Sequence, residues 1–147
     1  MPQKVRPGEE LPEAQLLQFM HEHQLVNSPD TELHIAQFSN GFSNLTYSVA
    51  TDEKEYVLRR PPFGAIKRGH DMGREYKVLS ALNQAFPKAP KAYAFTDDPA
   101  WLGAPFYLME KKEGIILSAR EAKKRQIEPA HFQTIARSWL DTFVELH

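Results

Sequence analysis

The chain has 147 residues, of which 41% are apolar and 25% charged, and its 18 basic and 19 acidic side chains give a formal net charge of −1. This is the composition of a globular protein of about one domain, and the balanced charge offers no strong positive field for gripping a nucleic acid backbone. The sequence has no cysteine, which excludes disulfide frameworks and thiolate zinc sites. It also has neither a signal peptide nor a stretch of roughly 18 apolar residues, so it predicts a cytoplasmic protein and no membrane span.

The first half of the chain predicts a polar arm, a helix and a strand meander. Residues 1–9 are polar and predict a loose arm. Leu16, Phe19 and Met20 share helical spacing with their apolar neighbours, which predicts a helix over about residues 11–24. Residues 45–49 alternate apolar and polar side chains, which predicts a strand, and residues 33–38 lead into it. Residues 56–59 follow a polar turn and read as the returning strand, so the three segments predict an antiparallel meander.

The second half predicts a helix, two strands and a different C-terminal segment. Asp71 can cap a helix over about residues 71–84, on which Glu75, Val78, Leu79 and Leu82 share one face. Residues 92–95 and 105–109 predict strands, with a loop at 101–103 between them. From Ser118 onward the pattern is helical, and an apolar stripe runs through Phe132, Ile135, Ala136, Trp139, Leu140 and Phe143.

This order predicts an α+β fold with a five-stranded antiparallel sheet and one packed helix. We expect three parts: residues 1–30 as an arm and helix, residues 31–113 as the sheet-bearing lobe, and residues 114–147 as a helical segment whose apolar stripe needs a partner.

A glycine turn between the first two long strands is a candidate phosphate site. Residues 40–44 read Asn-Gly-Phe-Ser-Asn, which places one glycine among small polar side chains at a strand corner. Backbone amides of such a turn can hold phosphate oxygens. A glycine in a hairpin is also an ordinary turn residue, so the turn alone leaves both interpretations open.

A strand arginine and a helix glutamate strengthen the phosphate interpretation. Val57 and Arg59 lie on the same face of their strand, so Arg59 is expected to point inward and Arg60 outward. Kinase-like folds pair an inward cation on the third strand with a helix glutamate and so fix the cation against the phosphates. The alternative is a solvated strand for both arginines, with Glu75 in an exposed salt bridge to a neighbouring cation.

Four segments carry a family resemblance: residues 41–47, 56–62, 71–76 and 103–110. In this order they resemble the aminoglycoside phosphotransferase and choline kinase-like family, and in particular the kinase-like portion fused to some acyl-CoA dehydrogenases. The resemblance covers about residues 30–147. It implies a protein kinase-like N-terminal lobe, preceded by a helix and followed, over residues 114–147, by a linker and the first helices of the second lobe.

The resemblance also implies which residues bind nucleotide. The glycine loop would cover the phosphates of ATP, an arginine would stand where lysine is usual with a helix glutamate as its partner, and a hinge backbone would meet adenine. These roles fall on Gly41, Phe42, Ser43, Asn44, Arg59, Glu75, Met109, Glu110 and Lys111.

The catalytic part of the family pattern is expected beyond this sequence. In the family, the base-bearing loop and the magnesium-binding aspartate follow the helix that here contains Trp139. We therefore expect no catalytic residue and no metal ligand before His147, and no turnover by the chain alone. The whole enzyme would use ATP and magnesium to phosphorylate a hydroxyl group of a small molecule. The alternative is a non-catalytic module that self-associates or docks a partner through the helix at 132–143.

Overall fold

The computed structural model describes residues 2–39, 43–64 and 71–146. Two compact units are present, Met1–Lys111 and Lys112–His147. In the described part of the first unit, the elements are β1 (Pro2–Gln3), α1 (Glu13–Glu22), β2 (His34–Phe38), β3 (Leu45–Ala50), β4 (Glu55–Arg60), α2 (Met72–Ala85), β5 (Ala92–Thr96), α3 (Pro99–Leu102) and β6 (Phe106–Glu110). The second unit contains α4 (Ala119–Lys124) and α5 (Pro129–Leu146). The predicted α+β class is confirmed.

The strands form one antiparallel sheet in the order β1-β2-β3-β4-β6-β5. The register of its centre matters for function. Arg59 on β4 stands opposite Thr46 on β3 and opposite Tyr107 on β6. Because directly opposite residues share a face, these three side chains emerge on the same side of the sheet.

The sheet has six strands in the described residues where five were predicted, because the N-terminal arm is not loose. Pro2 and Gln3 pair with Phe38 and Gln37 of β2. Gln37 is buried, and its side chain accepts a hydrogen bond from the Arg6 N–H at 2.9 Å and donates one to the Glu9 carboxylate at 2.5 Å. A buried amide requires such partners, so Gln37 ties the arm to the sheet.

One face of the sheet is covered by α1 and carries the core. Leu16, Phe19 and Met20 of α1 are at most 1% exposed. They belong to one cluster with the strand residues Leu45, Tyr47, Val49, Tyr56, Leu58, Ala94, Phe106 and Leu108. Burial of this kind is the main stabilising term in a small domain, at roughly 25 cal/mol per Å² of apolar surface.

The prediction that Arg60 points outward to solvent is wrong. Arg60 lies on the α1 face, is 1% exposed, and donates hydrogen bonds to the backbone carbonyls of Leu102 at 2.9 Å and Pro61 at 3.3 Å. Its guanidinium stacks 3.9 Å from the centre of the Phe63 ring. The alternation of side chains along the strand did place Arg59 and Arg60 on opposite faces of the sheet, but α1 covers the face that carries Arg60 and buries it.

The other face of the sheet receives α2. Asp71 caps this helix by accepting a hydrogen bond from the Arg74 N–H at 2.8 Å, as predicted. Tyr76 stacks on Phe95 of β5 with ring centres 5.6 Å apart. This contact turns the Met72–Tyr76 side of the helix to the sheet. Val78, which was predicted to share a helical face with Glu75, is 52% exposed.

The segment at 101–103, expected as a loop, contains the end of α3. Asp98 accepts a hydrogen bond from the Ala100 N–H at 2.9 Å, and Pro99 begins the helix. Gly103 ends it at φ +75°, a left-handed conformation that favours glycine. A cap, an initial proline and a terminal glycine are all present in the sequence, but the helix between them is only four residues long.

In the second unit, Ser118 caps α4 by accepting a hydrogen bond from the Glu121 N–H at 3.1 Å. Helix α5 exposes the predicted apolar stripe, with Trp139 at 63% and Phe143 at 48%. Among the described residues, no helix combines the length and the apolar character needed to cross a bilayer.

Candidate functional site

The carboxylate of Glu75 is the centre of a polar cluster on the α2 face of the sheet. Its Oε1 accepts a hydrogen bond from Asn44 Nδ2 at 3.0 Å, and its Oε2 accepts one from the Tyr107 hydroxyl at 2.9 Å. Arg59 Nε lies 3.6 Å from the same Oε2. Residues from the start of β3, from β4, from α2 and from β6 therefore meet at one carboxylate.

Glu75 reaches this polar cluster because α2 packs closely against the sheet. Glu75 lies in the first turn of the helix, directly after the Asp71 cap. Gly73 faces the ring of Phe95, and a Cβ at this position would lie only 3.2 Å from Phe95 Cζ. Because glycine leaves this space open, the first turn of α2 can pack low on β5 and bring the Glu75 side chain over β4 and β6.

Arg59 is attracted to the charge of Glu75, but its Nε donor has no hydrogen-bond partner among the described residues. The separation of 3.6 Å from Glu75 is an ion-pair distance but too long for a hydrogen bond. Arg59 Nε is buried and has no hydrogen-bond partner among the described residues. The side chain as a whole is 32% exposed, so a solvent-accessible cation stands beside a satisfied carboxylate.

Tyr107 is a site residue that the sequence did not reveal. It is 1% exposed, and burial raises the pKa of its hydroxyl well above the ordinary range, against the opposing charge of Arg59. The phenol therefore stays protonated and acts as a donor to Glu75 at all ordinary pH values. Its contact with Arg59 depends on the pairing of β4 with β6, two strands separated by a helix and another strand, so periodicity alone could not show it.

The predicted phosphate loop is only partly described. Gly41 and Phe42 lie outside the described residues. Ser43 is exposed. Asn44 is 5% exposed and donates to Glu75, so its side chain holds the helix glutamate in this structure.

The predicted hinge residues Met109, Glu110 and Lys111 end β6 and close the first compact unit. The Glu110 N–H donates to the backbone carbonyl of Lys91 at 2.8 Å, and the Glu110 carboxylate accepts from the Lys91 N–H at 3.1 Å. Lys111 forms an ion pair with Glu55. This segment is therefore fixed to both neighbouring strands of the sheet.

A cavity of about 1010 Å³ opens at the end of β4 and the start of α2. Its described lining includes Arg60, Phe63, Arg74 and Phe95 but neither Arg59 nor Glu75. Gly64 and Asp71 also line it. It is distinct from the cluster at Glu75.

The part of the chain that the structure describes contains no group of three or more histidine or acidic side chains arranged to hold a metal ion. Glu75, the acidic residue of the cluster, already accepts one hydrogen bond on each oxygen. The cluster is therefore suited to an anion beside Arg59 and not to a cation.

Comparison with known proteins points to one family. The family described as "Phosphotransferase enzyme family" matches residues 34–147. The chain is 32% identical over 119 residues to human acyl-CoA dehydrogenase family member 11 and 29% identical over 116 residues to mouse acyl-CoA dehydrogenase family member 10, matches that cover 80% and 78% of this chain. It spans only 15% and 11% of the length of these relatives.

A solved structure gives the same indication. The chain superimposes with a TM-score of 0.60 and 30% identity on a crystal structure from Ralstonia eutropha whose description provisionally calls it an aminoglycoside phosphotransferase. The match covers 74% of this chain and 30% of that one. The family match, residues 34–147, contains strands β2 to β6, α2 and the cluster at Glu75.

Proposed function

This chain belongs to the phosphotransferase enzyme family, and we propose that it is the nucleotide-binding lobe of an ATP-dependent enzyme that phosphorylates a hydroxyl group of a small molecule. In this proposal residues 31–113 hold the nucleotide, and the groups that carry out phosphoryl transfer lie outside the described residues. The observation that carries the proposal is the cluster at Glu75, with its accessible guanidinium at Arg59.

Arg59 is the group that we assign to the phosphates. Phosphoryl transfer depends mainly on holding the phosphates and neutralising their charge. A guanidinium remains charged at all ordinary pH values and offers a planar set of donors that suits phosphate oxygens. The side chain of Arg59 is 32% exposed and its Nε forms no hydrogen bond to Glu75 or to any other described residue, which supports this role because the guanidinium is accessible and Glu75 does not hold it through Nε.

The rest of the nucleotide would extend from this cation in both directions along the sheet. We propose that the loop with Gly41, Phe42 and Ser43 covers the phosphates and that the backbone of Met109–Lys111 meets adenine. The Glu110 N–H is engaged by Lys91, so adenine would have to use other backbone groups of this segment. Magnesium would enter with the phosphates.

The decisive test is ATP binding by calorimetry with wild type, Arg59→Ala and Arg74→Ala in the presence of magnesium. Arg59→Ala should weaken ATP binding by about tenfold or more, because a charged hydrogen bond contributes about 1.5–3 kcal/mol. Arg74→Ala removes an exposed arginine from the same helix as Glu75 and should bind as wild type does. Wild-type protein that binds neither ATP nor adenosine would refute the proposal.

A second candidate function is supported by helix α5. Its stripe exposes Phe132, Trp139, Leu140 and Phe143 by 44–63% each, and an exposed apolar stripe of this kind commonly forms an interface. As an interaction module the chain would self-associate or dock a partner there, without binding ATP. For the self-associating module, light scattering should show a dimer that Trp139→Ser dissociates. For the nucleotide-binding lobe, calorimetry should show ATP affinity that Trp139→Ser leaves intact.

A further inference from the structure

Glu75 is held in place by two neutral donors. Asn44 Nδ2 lies 3.0 Å from one carboxylate oxygen and the Tyr107 hydroxyl 2.9 Å from the other. Both donors are themselves buried, at 5% and 1% exposure. Their geometry is fixed by β3 and β6, so each carboxylate oxygen has a short hydrogen bond before Arg59 is considered.

Arg59 is correspondingly kept at a distance. Its Nε is 3.6 Å from Glu75 Oε2, the oxygen that already accepts the Tyr107 hydroxyl. An arginine beside a free carboxylate usually forms two short parallel hydrogen bonds, which would commit its planar donors to that partner. Here the carboxylate attracts the guanidinium without forming a hydrogen bond to its Nε.

We propose that Tyr107 and Asn44 are positioning residues that occupy Glu75 and thereby keep the guanidinium of Arg59 available to a nucleotide triphosphate. This inference rests on the proposed function. It assigns Asn44 to the orientation of the helix glutamate instead of to direct phosphate contact. Tyr107 does not touch the ligand and acts through Arg59.

Removal of the Tyr107 hydroxyl has a specific expected consequence. In Tyr107→Phe the ring still fills its place, but Glu75 Oε2 loses its neutral donor and can accept Arg59 directly. The new short ion pair offsets the lost hydrogen bond, so stability changes little. The guanidinium is drawn toward Glu75 and away from the phosphates, so ATP affinity falls although no charge has been removed.

The experiment is a double-mutant cycle by calorimetry, with ATP and adenosine as ligands. Tyr107→Phe should weaken ATP binding about fivefold to tenfold and leave adenosine binding unchanged, because only ATP carries phosphates. In an Arg59→Ala background the same substitution should have no further effect on ATP binding. Asn44→Ala removes the other donor independently and should show the same selective loss of ATP affinity.

Tyr47→Phe is the matched control. Tyr47 is also a fully buried strand tyrosine whose hydroxyl donates a hydrogen bond, to the Glu9 carbonyl at 2.8 Å, but it lies on the α1 face of the sheet. Loss of this hydroxyl should leave ATP affinity at the wild-type value. An equal loss of ATP affinity in Tyr47→Phe and Tyr107→Phe would show a general effect of destabilisation and overturn the inference.

Three further results would overturn it. Wild-type affinity for ATP in Tyr107→Phe would show that the hydroxyl does not act on Arg59. Equal losses for ATP and adenosine would show a structural role. An undiminished effect in the Arg59→Ala background would show that Tyr107 acts by another route. All three differ from failure of the proposed function, in which wild type itself binds neither ligand.

Discussion

Arg60 provides the sharpest test of the fold, because its neighbour Arg59 carries the same side chain on the opposite face of the same strand. We compare Arg60→Ala and Arg60→Met with Arg59→Met. Arg60 is 1% exposed, whereas the side chain of Arg59 is 32% exposed. The same chemical change is therefore made once inside the protein and once at a partly open site.

The loss of unfolding free energy expected for the Arg60 variants follows from the contacts of this side chain. Its hydrogen bond to the Leu102 carbonyl is 2.9 Å long, and leaving this buried carbonyl unpaired costs about 1–3 kcal/mol. Stacking on Phe63 at 3.9 Å contributes about 1 kcal/mol. Burial of the aliphatic stem adds about 2 kcal/mol, at roughly 0.8 kcal/mol per methylene group.

Removal of the buried charge of Arg60 opposes these losses of stability. Burial lowers the pKa of Arg60, although Tyr47 and Glu9 act in the opposite direction. The folded state therefore disfavours this charge relative to water, and removal of the charge recovers part of the cost, on the order of 1–2 kcal/mol. We expect net destabilisation of about 3 kcal/mol for Arg60→Ala, about 1–2 kcal/mol for Arg60→Met, and less than about 1 kcal/mol for Arg59→Met.

The assay is urea unfolding followed by tryptophan fluorescence. The chain has two tryptophans, and Trp101 packs edge-on against Phe19 in the first unit with ring centres 5.3 Å apart. A Trp139→Phe background leaves Trp101 as the sole tryptophan probe, so the transition reports on the sheet and α1. Equal destabilisation by Arg59→Met and Arg60→Met would refute the assignment of the two faces.

The remaining predictions concern the arm and the cap of α2. The hydrogen bond from Gln37, helped by Arg6, lowers the pKa of Glu9; the ionised carboxylate therefore stabilises the fold above its ordinary pKa, and this contribution is lost as pH falls through the lowered folded value. Wild type should exceed Glu9→Gln in unfolding free energy by about 1 kcal/mol at pH 7, and urea titrations should show this difference vanishing as the pH falls through the lowered folded pKa. A difference independent of pH would contradict the role of the charge. Asp71→Ala should cost about 1 kcal/mol in the same assay and Asp71→Ser should recover most of it, because serine can still cap; equal losses would contradict capping.

Local patterns predicted most of the helices and strands, because capping residues and side-chain periodicity depend on residues that are close together in the sequence. The alternation of residues 45–49 and the run at 56–59 after a polar turn predicted the two strands, and the two-residue period of a strand predicted the opposite directions of Arg59 and Arg60. Asp71 signalled the start of α2. The environment of Arg60 could not be predicted in this way, since it depends on α1 packing against strands far away in the sequence.

The composition of the cluster at Glu75 was predictable only in part. Arg59 and Glu75 follow from spacing and from the family resemblance. Tyr107 does not, because its position opposite Arg59 is set by the register of β4 against β6. Strand β1 was missed for a related reason: two residues, one of them proline, show no periodicity. The arm that contains them is held by hydrogen bonds of the Gln37 side chain with the Arg6 backbone N–H and the Glu9 carboxylate.

The arginine at position 59 explains why Glu75 needs its two neutral donors. A lysine in this position is a compact point charge that can lie between a carboxylate and a phosphate and serve both. A guanidinium is planar, and a bidentate pair with Glu75 would direct its donors to the helix. If Asn44 and Tyr107 saturate the carboxylate, the arginine keeps its charge beside Glu75 and its donors for the ligand. Arg59→Lys and Tyr107→Phe should therefore partly compensate each other: an ammonium can pair with the freed oxygen and still reach a phosphate, so the double variant should bind ATP more tightly than Tyr107→Phe alone.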